Sequence, residues 1–190
     1  MRTEAEIELR KNEFLNRYNP ERSEYLALTS GVKAAVQHNA LYSPDANRES
    51  IKAFWKEELK KLGIKYRTVQ TEETFIQDVE VLKAKMNKCF PNSFKNTSRK
   101  QLDREFRISH AQKSISVYLK HLWCMGKIVT PPLCPIDRIV LNELNANDPR
   151  WGYVNDIETY KGHINLIKEW RRNNDEHSDD PIAVWELFAF

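Results

Sequence analysis

Residues Ser109 to Leu144, SHAQKSISVYLKHLWCMG followed by KIVTPPLCP and IDRIVLNEL, decide how the rest of the chain is read. The first part is the most apolar helix candidate in the protein. Val117, Tyr118, Leu119, Leu122, Trp123, Cys124 and Met125 occupy almost the whole helical circumference, the pattern of a helix buried on most sides. Lys113 stands near its N-terminal end. A loop with Gly126, Pro131, Pro132 and Pro135 follows and delivers Asp137 into the first turn of a second helix. That helix is expected to take Cys134 or Leu133 as its cap and Pro135 as its first residue. One buried helix thus begins beside a lysine, and the next begins beside an aspartate.

Outward from this core the chain reads as helices joined by short loops. Thr3 is placed to cap a helix through Ile7, Leu9, Phe14 and Leu15 that stops at Asn19-Pro20. A second helix is expected from Pro20 through Leu28, Val32 and Val36, weakened in its middle by Gly31. Asn47 to Leu62 form an amphipathic helix that Gly63 is expected to stop. Ile64 to Val69 is the one segment with strand-like alternation, too short and isolated to build a sheet. Thr71 opens a helix with an acidic first turn that ends at Pro91. After Leu144, the polar cluster 145–150 leads through Trp151 and Tyr153 to a helix carrying Tyr160, Ile164, Ile167 and Trp170, with Arg171 and Arg172 at its negative end. Residues 173–180 form a polar loop, and the aromatic tail 181–190 is expected to dock on the core. With no βαβ alternation and no internal repeat, the fold is expected to be all-α. The whole chain, 1–190, forms a single compact domain of seven to nine helices around the buried helix at 109–125.

Composition narrows the function classes. Five glycines argue against Gly-rich phosphate loops and turn-dense β architectures. A formal charge of +3 is compatible with nucleic acid without establishing it, so the distribution of charge matters more than its sum. Three cysteines, an odd number in apolar or helical surroundings, argue against a disulfide framework. The N-terminal MRTEAEIELRK lacks the apolar core of a signal peptide, and no run approaches the roughly 18 apolar residues of a membrane span. A reduced, soluble, cytoplasmic protein is the resulting expectation.

Three groups of residues carry candidate chemistry. The basic connecting segment 93–107 contains Lys95, Arg99, Lys100, Arg104 and Arg107 against Asp103 and Glu105, and reads either as a solvated linker face or as a phosphate contact. His121 and Cys124, three apart, could join Cys134 and His110 in a zinc site, but the paired short spacings of structural zinc are missing, so no metal is assigned. Nothing in the sequence identifiably lowers the pKa of either Cys124 or Cys134. Lys113 and Asp137 are the third group. A lysine amine attacks carbon only when unprotonated, and burial beside a helix N-terminus disfavours its ammonium. An aspartate in a helix first turn is stabilised as the carboxylate by the local amides. About 20 Å of helix separates Lys113 from Gly126, and the loop back is long enough to bring Asp137 beside the lysine.

Gln112-Lys113 with SISVYLKHLW, then Gly126, the prolines, and Pro135-Ile136-Asp137-Arg138 resemble the helix-hairpin-helix DNA glycosylase superfamily, most closely in layout the archaeal oxidised-guanine glycosylases. The likeness covers about 35 of the 190 residues. It implies that Lys113 attacks the sugar C1′ of a flipped nucleotide, and that Asp137 stabilises positive charge on the sugar or assists proton transfer. The superfamily's Leu-Pro-Gly-Val-Gly hairpin is replaced here by Arg107-Ile108-Ser109-His110, and there is no C-terminal four-cysteine iron–sulfur motif. Phosphate binding would therefore fall to the Ser109 helix terminus and to Arg99, Lys100, Arg104 and Arg107. Trp151 and Tyr153, in a turn region, are candidates to stack on a base. The resemblance implies a DNA base-excision glycosylase, and a lysine nucleophile would add abasic-site lyase activity through a Schiff base. It would act on duplex DNA with a damaged or modified base and require no cofactor. The alternative is a non-catalytic helical module that binds nucleic acid or a protein partner.

Overall fold

The computed structural model describes residues 1–36, 41–97, 102–103 and 105–190. In chain order the helices are α1 (Glu4–Tyr18), α2 (Glu24–Val36), α3 (Arg48–Lys65), α4 (Glu72–Cys89), α5 (Ile108–Cys124), α6 (Arg138–Glu143), α7 (Ile157–Asn174) and α8 (Ile182–Ala189), with a 3-10 turn at Trp151–Tyr153. Two two-residue strands, β1 (Asn96–Thr97) and β2 (Leu102–Asp103), pair antiparallel between α4 and α5. The fold is all-α and α5 is its axis, in contact with α1, α2, α3, α4, α7 and the 3-10 turn. Its side chains from Ile108 to Ser116 are all buried, as the all-round apolar and small-residue sequence requires.

Helix entries follow the sequence signals. Thr3 caps α1 in a capping box with Glu6, and the side chains of Asn47, Thr71 and Asp156 accept amide hydrogens at the starts of α3, α4 and α7. Gly126, at φ +71°, ends α5 in the left-handed conformation that glycine adopts without cost, and the amide of Lys127 donates back to the Leu122 carbonyl.

Two glycines act differently from their sequence reading. Gly31 lies inside α2, and a Cβ there would sit 2.8 Å from the Ser114 backbone oxygen. Gly63 does not stop α3, which continues to Lys65; a Cβ there would lie 2.7 Å from the Tyr118 hydroxyl and 2.9 Å from Leu122 Cδ1. Both mark where a neighbouring helix comes closest to α5. The strand-like alternation from Ile64 therefore belongs to the last helical turn and the bend after it. α2 begins at Glu24 rather than Pro20, because the buried Asn19 side chain holds a turn through both backbone groups of Ser23.

Large aromatics fill the space around the axis. Trp55 donates from Nε1 to Ser114 Oγ at 3.0 Å and meets Phe106 edge-on at 4.7 Å. In the tail, α8 buries every residue from Ile182 to Leu187, while Phe190 stays 43% exposed. The polar loop 173–180 is organised by Arg171, whose guanidinium, 4% exposed, donates to the Asp175 carboxylate and the carbonyls of His177, Ser178 and Asp180. Arg2 closes the same corner on Asp180 at 2.8 Å and lies over the Phe188 ring.

Candidate functional site

The lysine and the aspartate meet. Lys113 Nζ donates to Asp137 Oδ2 at 2.6 Å. Three neighbouring features impose this. Gln112 exchanges two hydrogen bonds with the backbone of Ile136, donating to its carbonyl at 2.7 Å and accepting from its amide at 3.2 Å. The residue before the lysine therefore pins the residue before the aspartate. Next, Asp137 is itself the N-cap of α6: its Oδ1 accepts from the amides of Ile139 and Val140, at 2.9 and 3.1 Å. The expectation of a cap at Cys134 or Leu133 with Pro135 as the first helical residue is thus corrected by three positions. Cys134, Pro135 and Ile136 form a buried, non-helical approach held on α5. Finally, Trp151 lies behind the lysine, its ring centroid 5.8 Å from Nζ. The lysine side chain retains 10% of its exposure and the aspartate 26%, so Asp137 presents the more open edge of the pair.

That edge faces a cavity of about 560 Å³, within the ~300–1,000 Å³ range of small-ligand sites. Lys113, Val117 and His121 line it from one face of α5 at four-residue spacing, and α1, α2 and α8 supply the other walls. Two residues there were not singled out from the sequence as a pair: Lys120 on α5 and Glu186 on α8 bond at 2.6 Å, both nearly buried. His121 stacks on Phe14 with ring centroids 4.9 Å apart, and its Nδ1 is buried without a hydrogen-bond partner among the described residues. Burial pushes the His121 imidazole down to about 4, so it is neutral at pH 7.

Arg107, Ser109 and Tyr153 gather at the 3-10 turn. Arg99, Lys100 and Arg104 lie outside the described residues. Arg107 is 6% exposed; its Nη1 donates to the Gly152 carbonyl at 3.0 Å and its guanidinium lies over Tyr153. Ser109 is 1% exposed, its Oγ bonded to the same carbonyl at 3.1 Å and its amide to Val154. Both residues bond the Gly152 carbonyl and so hold the 3-10 turn against α5. That turn presents Tyr153, half-exposed between the guanidiniums of Arg107 and Arg150, and keeps Trp151 partly buried beside the lysine.

The zinc and thiol candidates separate as well. His110 Nδ1 accepts from the Arg107 amide at 3.1 Å, and burial pushes the imidazole down to about 3. Burial raises the Cys124 thiol to about 12 and the Cys134 thiol higher still, so neither is an activated nucleophile. Among the described residues no group of three His, Cys, Asp or Glu side chains could hold a metal ion. Nor is any described helix long and apolar enough to cross a membrane. Searches among the known protein families, curated proteins and solved structures find no match for this chain.

Proposed function

We propose that the protein is a cytoplasmic DNA base-excision glycosylase with abasic-site lyase activity, in which Lys113 is the nucleophile and Asp137 its proton acceptor and electrostatic partner. The observation that carries this reading is the 2.6 Å contact between the two at the wall of one concave, nucleotide-sized cavity. An ammonium has no lone pair to donate, and Asp137 Oδ2 is placed to take its proton. The freed amine attacks C1′ of a nucleotide turned out of the duplex; the N-glycosidic bond breaks, the base leaves with the bonding electrons, and Asp137 passes it the proton taken from Lys113, which restores the carboxylate. Positive charge that builds on the sugar ring is met by the carboxylate, which the α6 amides orient through its other oxygen. Opening of the sugar yields an imine between Lys113 and C1′. Loss of a proton from C2′ then expels the 3′ phosphate and cuts the strand, and water releases the lysine. Borohydride tests the reading, because it reduces the imine to a stable amine and freezes the enzyme on its DNA. An adduct is expected on aldehydic abasic duplexes and on duplexes with an oxidised purine. Its complete absence from both would overturn the proposal.

A further inference from the structure

The walls of the cavity carry five cationic and three anionic side chains: Arg10, Arg17, Lys33, Lys113 and Lys120 against Glu13, Asp137 and Glu186. Each acid is already matched to a cation of the same cavity. Glu13 pairs with Arg10 at 2.8 Å, Asp137 with Lys113 at 2.6 Å, and Glu186 with Lys120 at 2.6 Å. His121 is neutral at pH 7 because of its burial. Arg17 and Lys33 are left over, with no carboxylate partner among the described residues and both exposed. Helix surfaces elsewhere place lysines against glutamates three residues away, as in Lys52–Glu49, Lys60–Glu57 and Lys161–Glu158. The rim contributed by α1 and α2 therefore carries uncompensated positive charge beside an opening.

An exposed aromatic accompanies it: Tyr18 is 48% exposed and the Arg17 guanidinium lies 5.2 Å from its ring centroid. Cations interleaved with an exposed aromatic ring suit a phosphodiester chain, whose phosphates seek the charge and whose bases stack. An acidic peptide would satisfy the charge but brings no base in each repeat to lie on the exposed part of the Tyr18 ring.

We infer that Arg17 and Lys33 bind the phosphodiester flanking the nucleotide that enters the cavity, so that DNA crosses the α1–α2 rim. The inference rests on the glycosylase reading for the identity of the cavity's occupant. It also relocates part of the DNA surface, since the rim is far in sequence from the basic segment 93–107.

The test is the salt dependence of binding to a duplex containing a tetrahydrofuran abasic analogue, which has no aldehyde and so reports binding apart from chemistry. For each phosphate contact removed, the slope of log affinity against log salt falls by about 0.9. The double variant R17A/K33A is expected to lose about 1.8 from the wild-type slope, and the charge-keeping Arg17→Lys, Lys33→Arg pair to recover it. An unchanged slope in R17A/K33A would overturn the inference, as would failure of the wild type to bind the duplex. A reduced slope together with no borohydride adduct on either the aldehydic or the oxidised-purine duplex would keep the phosphate contacts and remove the glycosylase reading alone.

Discussion

Two lysines on one helix face the same cavity, each 2.6 Å from a carboxylate. Lys113 and Lys120 stand about 10 Å apart along α5, yet their partners are held differently. Asp137 is fixed at both oxygens, one on two α6 amides and one on the lysine, and keeps 26% of its exposure. Glu186 belongs to α8, is 10% exposed, and its carboxylate bonds only Lys120 among the described residues. Lys120 is further covered by the Phe14 ring, 4.7 Å away. The first pair is oriented and open, and the second is enclosed. At equal distance, the pair to which the proposal gives the proton transfer thus differs from a pair that fastens the tail to the core.

The largest effects should separate these pairs. Lys113→Ala is expected to abolish the borohydride adduct, while Lys120→Ala keeps it and instead loses about 3 kcal/mol in denaturant unfolding, because Glu186 is left buried without its cation. The reverse assignment would dissolve the distinction. Next in size, Asp137→Asn should slow single-turnover base release by about 10²- to 10⁴-fold, with a smaller stability loss than Lys120→Ala, because asparagine still caps the helix and its side-chain oxygen still accepts from Lys113. A Tm loss as severe as the rate loss would make Asp137 a structural residue like Glu186.

Acid should act at the enclosed end. The folded-state pKa of His121, about 4, lies below the usual 6.5, so between these values the unfolded chain binds more protons than the folded one. Stability is present in full above pH 6.5 and is lost as pH falls toward 4, by up to roughly 3 kcal/mol from this residue. His110, at about 3, adds a loss of the same sign that extends lower. Urea titrations from pH 7.5 to 4.5 should show a shallower decline in His121→Gln than in wild type; parallel curves would contradict the assignment.

The smallest effect concerns the two close approaches to α5. A methyl at Gly31 meets the fixed Ser114 carbonyl beside Lys113, and Gly31→Ala should cost about 1–3 kcal/mol in thermal unfolding. At Gly63 the obstacles are side-chain ends, Tyr118 and Leu122, and alanine's helical preference of about 1 kcal/mol offsets much of their displacement. A greater loss at Gly63 than at Gly31 would invert the packing argument.

Much of this was legible in the sequence where local chemistry decides structure. The all-round apolar pattern marked α5 to within a residue or two, and Thr3 and Thr71 announced their helices because a cap bonds its own neighbours. The meeting of Lys113 and Asp137 was legible as an allowance of chain length rather than as a necessity; the Gln112–Ile136 exchange that compels it joins residues 24 apart. Gly31 and Gly63 misled because a helix breaker and a close-packing site look alike until the neighbour is known. Lys120 and Glu186, 66 positions apart, left no local pattern, and neither did the contribution of α1 to the cavity. The Gly152 carbonyl to which Arg107 and Ser109 both donate lies more than 40 positions away and left no local pattern.

The most direct test of the account is to reduce the wild-type protein onto an aldehydic abasic duplex with borohydride, digest it, and locate the modified lysine by mass spectrometry. The sugar remnant is predicted on Lys113, with Lys120 unmodified. A remnant on Lys120, on the N-terminal amine or on no residue would contradict the claim that the open pair on α5 is the reactive one.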